Sequence, residues 1–373
     1  MIGPEFREIQ IDLGALRRNV THLKTVLGVE HLMIVVKADA YGHGMIPCAA
    51  AAVAGGADWL GVADVTEALH LREAGIQVPI LAWLHSPRDD FEQALAQRIT
   101  LGVSSIAQLD AVASASWAWA EGPAPIHLKL DTGLSRNGLA PEEWRDAFAR
   151  AKYLQDDGAI VVEGIFSHLA GGGPSIDLAA HVLFEEGVAR AHDAGLNPPI
   201  LHLAATATAF FSPSMRYNMV RIGIGAYGVS PDDETPVDQL GVTPVMTVRT
   251  RVAGVRKIPA GVGVSYEHTY VSQEPTTLAL IPMGYAEGIP RSASNAASVN
   301  VSGQVRPIAG RVAMDQFVVD MGQEWVTVGD PVVIFGDPQR GHPSVSDFAR
   351  ASGTIGYEIV TRMGGRCTRT FVE

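Results

Sequence analysis

Cysteine, lysine and long apolar runs are what this 373-residue chain has least of. Its two cysteines, Cys48 and Cys367, are too few and too isolated for a disulfide framework or a paired-cysteine metal site, which fits a reducing compartment. No apolar run approaches the length needed to span a bilayer. The opening stretch MIGPEFREIQIDLGALRRNV lacks the apolar segment and small-residue cleavage site of a secretory leader, so a cytoplasmic protein is expected. Positive charge is scarce as well: 28 basic against 40 acidic residues leave a net charge of −12. That balance argues against nucleic acid or an anionic membrane as a partner, while leaving room for a local basic pocket. There is no low-complexity tract, and 47% hydrophobic with 18% charged residues is the composition of an ordinary globular protein.

What is rare is informative where it occurs. The five lysines are Lys24, Lys37, Lys129, Lys152 and Lys257, and two of them, Lys37 and Lys129, interrupt apolar strand-like runs. Lys37 ends the run in VVKADAYGHG (35–44). A buried ammonium without a partner costs several kcal/mol, so Lys37 either leaves the strand for solvent or is bonded, paired or chemically altered.

Short apolar runs alternate with helical patterns at steady spacing. The runs are HLMIVV (31–36), WLGVA (59–63), PILAW (79–83), ITLGV (99–103), IHLKL (126–130), AIVVEGIF (159–166), PILHLA (199–204) and MVRIGI (219–224). Helices are expected within 12–28, 63–75, 104–118, 141–155 and 177–195. Eight such units within about 240 residues predict an α/β fold, a (β/α)8 TIM-like barrel with its functional groups at the C-terminal strand ends. From Gly241 onward the pattern becomes strands separated by Gly/Pro turns, with one helical run at 346–353. The expected division is therefore a barrel domain, 1–240, and a C-terminal all-β domain, 241–373, with 230–239 as linker.

Several motifs suggest chemistry. GIGAYG (223–228) follows a strand and matches G-x-G-x-x-G, but VSPDDETP after it cannot form the helix a dinucleotide fingerprint must open. The same glycines, with AATAT (204–208) after the seventh run, suit a phosphate cradled by loops seven and eight of a barrel, to which Thr206 can add a hydroxyl. His127, Lys129 and Asp131 alternate and so share one face of a strand. Inward, Lys129 would need neutralising, pairing or modification; outward, the three make an ordinary solvated face. Arg136 lies just beyond that strand and can reach a barrel-top site. His168 and His202 fall at strand ends without a carboxylate at ligand spacing, so no metal site is expected. VSYEHTY (264–270) and IPMGYAEGIPR (281–291) place tyrosines beside glycine turns.

VVKADAYGHG, HLKLDTGLSRNG, GIFSHLA, VRIGIGAYG, VSYEHTY, GYAEGIPR, GRVAMDQFVVD and GTIGYEIVTRMGGR, in this order over nearly the whole chain, together resemble the bacterial alanine racemase family. The resemblance implies an isomerase that interconverts L- and D-alanine with pyridoxal 5'-phosphate and supplies D-alanine for peptidoglycan. It also implies a homodimer with shared active sites. Lys37 would be held as a Schiff base with the cofactor aldehyde, and Lys37 and Tyr266, the latter from the partner subunit, would be the two bases on opposite faces of the α-carbon. Arg221 would face the pyridine nitrogen and His168 would lie beside the ring. The phosphate contacts would be Tyr41, Thr206, Tyr357 and the amides of Gly223 and Ile224. Arg136 and the backbone of Met314 would hold the substrate carboxylate. Lys129 matches a position often carbamylated, and Tyr270, Tyr285, Arg291, Arg311 and Ile355 match residues lining the entrance.

Four departures bear on the substrate. Gly173 stands where an acid is common, Ala205 where an asparagine is usual, Glu267 replaces a glycine beside Tyr266, and Glu287 replaces an aspartate. None touches Lys37, Tyr266 or Arg221. The alternatives are a racemase of serine or another small amino acid, and a non-catalytic PLP-binding protein, which the second domain and its tyrosine disfavour.

Overall fold

A computed structural model describes residues 6–86, 88–119 and 121–373; the first five residues of the opening stretch read above lie outside these. The chain divides into two compact units. One comprises Val20–Ala40 and Met45–Gly223, the other Met1–Asn19, Tyr41–Gly44 and Ile224–Glu373.

The first unit is the barrel. Its eight strands are His31–Val35, Trp59–Val62, Ile80–Ala82, Thr100–Val103, Ala124–Lys129, Ile160–Phe166, Ile200–His202 and Met219–Ile222, each within an expected apolar run except Ala124–Lys129, which starts two residues before its run at 126–130. They pair in parallel in chain order, and the last returns to the first, with Leu32 opposite Val220. Continuous burial suits strands covered on both faces: all four residues of Trp59–Val62, Thr100–Val103 and Met219–Ile222 are buried. Between the seventh and eighth strands the ladder is replaced by single bonds. The Asn218 carboxamide accepts from Leu201 N at 2.9 Å and donates to Pro199 O at 2.7 Å, while Arg221 N donates to Ala204 O at 3.1 Å. Met33, Trp59, Leu81, Ile200 and Met219 pack as a core cluster, with Trp83 against it. A Cβ on Gly61 would come within 2.8 Å of the Trp83 ring and one on Gly102 within 2.9 Å of its side chain, so these glycines make room for the indole. The helices include the expected Val65–Glu73, Ile106–Trp119, Trp144–Asp156 and Pro174–Asp193. Met45–Ala54, Phe91–Ala96 and Thr206–Phe211 are additional.

The second unit is built on a six-stranded sheet in the order Gln304–Pro307, Ser298–Val301, Pro331–Phe335, Met246–Arg251, Arg7–Asp12, Thr368–Val372. A three-stranded sheet, Gly254–Ile258, Thr276–Ile281 and Phe317–Gly322, and the small ladder Gly263–Val264 with Tyr270–Val271 complete it. It also takes the first half of the expected helix Leu13–Leu27 and two short helices, Val345–Ser352 and Gly356–Arg362; most of its remaining regular structure, among the described residues, is β with single 3₁₀ turns.

The expected boundary at 240 needs correcting at both ends. Arg7–Asp12 pairs antiparallel with Met246–Arg251 (Ile9 opposite Val248) and parallel with Thr368–Val372 (Ile9 opposite Arg369), so this N-terminal strand belongs to the β unit. Buried Glu8 fixes that register by accepting from Arg249 Nε at 2.7 Å. Residues 230–239 are no free linker either: Asp232 accepts from the amides of Glu234 and Thr235, and the Asp233 carboxylate accepts from Gly356 N at 3.0 Å.

Candidate active site

The first barrel strand delivers Lys37 at its C-terminal end, and the backbone beyond it is unusual. Ala38, Asp39, Ala40 and Tyr41 have φ of +53° to +54°, a left-handed turn in which each non-glycine residue is disfavoured by roughly 1–2 kcal/mol. Its bonds are specific. Ala38 N donates to Glu67 Oε1 at 2.6 Å, Ala40 N to Val36 O at 2.8 Å, and Met45 N to Asp39 Oδ1 at 2.7 Å. The other Glu67 oxygen accepts from Ala63 N at 2.8 Å, so one carboxylate ties the turn after Lys37 to the next strand. No spacing pointed to Glu67, which acts 29 residues away in sequence.

The barrel places Lys37, Lys129, Arg136, His168 and Arg221 in one electrostatic neighbourhood. Burial, then Arg136 and Arg221, hold the Lys37 amine below the usual lysine value, against an upward pull from Glu67. The same order of causes presses Lys129 down to about 8. Lys37 Nζ lies 5.9 Å from the Trp83 ring centre and Lys129 Nζ 5.8 Å from that of Phe166. The face of His127 and Lys129 therefore turns inward, both being buried, while half-buried Asp131 accepts from Gly133 N and Ser135 N at 3.0 Å each.

Arg221 is buried and meets carbonyls and imidazoles. Nη1 donates to His202 O (3.0 Å) and His202 Nδ1 (3.1 Å). Nη2 donates to Ser167 O (2.8 Å), Leu203 O (3.1 Å) and His168 Nδ1 (3.3 Å). Since a guanidinium can only donate, both imidazoles accept at Nδ1 and carry their proton at Nε2. His202 Nε2 then donates to His127 Nδ1 at 2.8 Å. Burial first, then Arg221, lowers His168 to about 3, and burial lowers His127 to about 3, so both are neutral. Burial lowers Arg221 only to about 10, so it stays charged at neutral pH. Four basic side chains thus face few carboxylates, a surplus suited to an anionic ligand.

Thr206, buried, opens the helix after the seventh strand. Ala205 at its N-cap offers no side-chain acceptor to the first amides. Gly223 directly follows the eighth strand. Gly173, with φ +109°, is the N-cap of Pro174–Asp193, a backbone position that disfavours any side chain, including the acid expected there.

The β unit holds two further groupings. Tyr41 lies 5.3 Å from Tyr227 and 6.2 Å from Tyr357, ring centre to ring centre, and burial pushes the Tyr357 phenol up to about 12. Ile224 begins a buried single turn, Ile224–Tyr227, in place of the long helix that a dinucleotide motif requires. Exposed Ile355 caps the helix that carries Tyr357.

Elsewhere in this unit Tyr266, Tyr285, Arg291 and Met314 line one hollow. Tyr266 is 68% exposed, far more than a packed tyrosine. Tyr285 N donates to Ala313 O at 3.1 Å and Ala286 N to Met314 O at 3.0 Å; a Cβ on Gly284 would sit 2.2 Å from Ala313 O. Behind this contact the fully buried Glu287 accepts from Gly284 N (2.8 Å) and Arg366 Nε (2.5 Å), and Arg366 reaches Asp315 at 2.8 Å. Glu287 is thus a structural clamp. Arg311 joins the rim through Glu267. Tyr270, expected at the entrance, instead donates its hydroxyl to Asp320 and packs against the core of Ile258, Val264 and Leu278.

A parallel barrel with a lowered lysine amine and a cationic cluster at its C-terminal strand ends, in one chain with a β unit that presents an exposed tyrosine, is the architecture of a two-domain barrel enzyme. Comparison with known proteins narrows this. The family described as "Alanine racemase, N-terminal domain" matches residues 11–231, and "Alanine racemase, C-terminal domain" matches 245–371. The alanine racemase of Salinispora arenicola is 47% identical over 361 residues, 96% of this chain and 95% of that one. Among solved structures, alanine racemase from D-cycloserine-producing Streptomyces lavendulae has a TM-score of 0.96 at 44% identity, covering 100% of this chain and 98% of its own. Alanine racemase from Bacillus anthracis with bound L-Ala-P has a TM-score of 0.87 at 31% identity, covering 99% and 95%. The chain belongs to the alanine racemase family.

Proposed function

We propose that the chain interconverts L- and D-alanine with pyridoxal 5'-phosphate as cofactor, Lys37 and Tyr266 serving as the two bases. The observation that carries this reading is Lys37: an amine at a barrel strand end, lowered by burial and flanked by Arg136 and Arg221. A lowered amine is the more readily deprotonated nucleophile that a cofactor aldehyde requires, and the surrounding positive charge suits a phosphate and a carboxylate. The residues therefore fit the group. Lys37 would hold it covalently, and Tyr41, Thr206, Tyr357 and the amides of Gly223 and Ile224 would bind its phosphate. When bound, it supplies a conjugated ring that delocalises the electron pair left after the α-proton departs.

The protein's own groups set the stereochemistry. Lys37 takes or returns the proton on one face, and Tyr266, supplied by the partner subunit of a homodimer, does so on the other. The exposure of Tyr266 supports a role beyond its own subunit. Arg221 keeps its proton, so it would offer a pyridine nitrogen a hydrogen bond and no more. His168, neutral and fixed in one tautomer, would lie beside the ring without competing for protons. Arg136 and the backbone of Met314 orient the substrate carboxylate, and Tyr285, Arg291, Arg311 and Ile355 form the entrance. Lys129 is carbamylated: an amine held near 8 is partly neutral at physiological pH and attacks CO2, and the resulting anion answers the charge of Arg136. The product serves peptidoglycan synthesis in the cytoplasm.

The test is to incubate the purified protein and cofactor with a panel of L-amino acids, including alanine and serine, and resolve the D-products by chiral chromatography. Dominant D-alanine that disappears in Lys37→Ala supports the reading. Another dominant D-amino acid would retain the chemistry and overturn the substrate, and no product at all would overturn the function.

A further inference from the structure

The loop carrying Tyr266 is strained on both sides of that residue. Ser265 has φ +62°, Glu267 +61° and His268 +47°, none of them glycine. A side chain at such a position persists when its contacts compensate for the backbone. Ser265 Oγ donates to Arg311 O at 2.7 Å, and the Glu267 carboxylate takes Arg311 Nη2 at 2.7 Å and Arg291 Nη2 at 3.7 Å. A glycine at 267 would relieve the backbone and release both guanidinium groups.

The charges around the hollow then sum to a simple result. Glu267, Arg291 and Asp315 line it, and Arg311 adjoins it through Glu267. Arg366 is shared between Asp315 (2.8 Å) and the buried Glu287 (2.5 Å), and Arg7 also reaches Glu287 at 3.7 Å, so these two cations balance these two carboxylates. Glu267 matches one of Arg291 and Arg311, so one positive charge remains in surplus. Arg311 is only partly engaged, because its Nε is buried with no hydrogen-bond partner. One surplus cation suits a ligand with one carboxylate; two would favour a second.

We propose that Glu267 is a specificity-determining residue that holds Arg291 and Arg311 in ion pairs and so biases this rim toward amino acids with uncharged side chains. The inference rests on the racemase reading, and it concerns which anions the rim admits rather than how the proton moves.

The experiment compares succinate with propionate as probes against the PLP-loaded full-length enzyme. It uses titration calorimetry and competitive inhibition, in the parent, Glu267→Gln and the double variant Glu267→Gln/Arg311→Gln. Glutamine keeps a polar side chain of the same shape and removes only the charge. We expect Glu267→Gln to improve succinate binding relative to propionate by about fivefold, the upper range for exposed charge pairs. The gain shrinks as salt is raised, since exposed charges are screened within about 10 Å at 0.1 M. The double variant returns the ratio to the parent value. An unchanged succinate-to-propionate ratio in Glu267→Gln, or a gain that survives loss of Arg311, overturns the proposal. Absence of D-alanine formation by the parent would count against the racemase reading alone, because the binding ratio is measured without turnover.

Discussion

The two chemical regions of this molecule handle charge in opposite ways. At the barrel strand ends, basic groups are withdrawn from water: Lys129 and Arg221 are buried and Lys37 is half-buried, and few carboxylates answer them. At the rim of the β unit the charges stay wet and are matched in pairs, Glu267 with Arg311 and Asp315 with Arg366. Burial alters the proton chemistry of the lysines, whereas pairing at the surface mainly fixes geometry. A base made reactive by burial depends on its whole surroundings; one presented on a rim depends on a few local contacts.

The strongest way to break the contrast is to delete the amine. Lys37→Ala should abolish D-alanine formation and the absorbance band of bound cofactor. Tyr266→Phe should lower turnover by about 10²–10⁴-fold, the range for loss of a general base. It should leave the thermal midpoint essentially unchanged, because the side chain is exposed. Arg221→Leu should add a loss of stability: three buried carbonyls would each lose a donor, His202 O alone keeping a second from Ser167 N, and denaturant unfolding should show a loss of about 3 kcal/mol.

A smaller effect is read from pH. Lys129 has a folded value of about 8 against 10.5 in the unfolded chain, so between those values the unfolded chain binds more protons. Stability of the cofactor-free protein in CO2-free buffer should therefore rise as pH climbs through that window, and Lys129→Met should flatten the slope. The smallest expected effect belongs to the rim. Glu267→Gly should be more stable than Glu267→Ala by about 1 kcal/mol, because only alanine retains the left-handed strain once the ion pairs are gone.

The barrel was legible because each strand is a local apolar run followed by a helical pattern, a signal contained within each segment. The division at 240 was not, because Arg7–Asp12 finds its partners more than 230 residues away and no local pattern records that. The left-handed turn was hidden for a different reason. Nothing in ADAY signals the opposite hand, and the contacts that hold it, Glu67 with Ala38 N and Asp39 with Met45 N, are not recorded by any local pattern. Lys37 and Lys129 stood out as charges inside apolar runs, whereas Arg221 was named through the family resemblance alone. Glu267 stood out only as a departure, and its pairing with two arginines became visible only in three dimensions.

The seam between the seventh and eighth barrel strands has a consequence for how the barrel opens. Everywhere else around the ring, neighbouring strands share a ladder; here the side chains of Asn218 and Arg221 and one main-chain bond from Arg221 join them. A closed ring sewn shut by so few stitches has a preferred line of rupture, so amide deuteration should enter there first. The lifetime of the native barrel at high temperature would then depend on two side chains, one of them a carboxamide that takes no part in the chemistry.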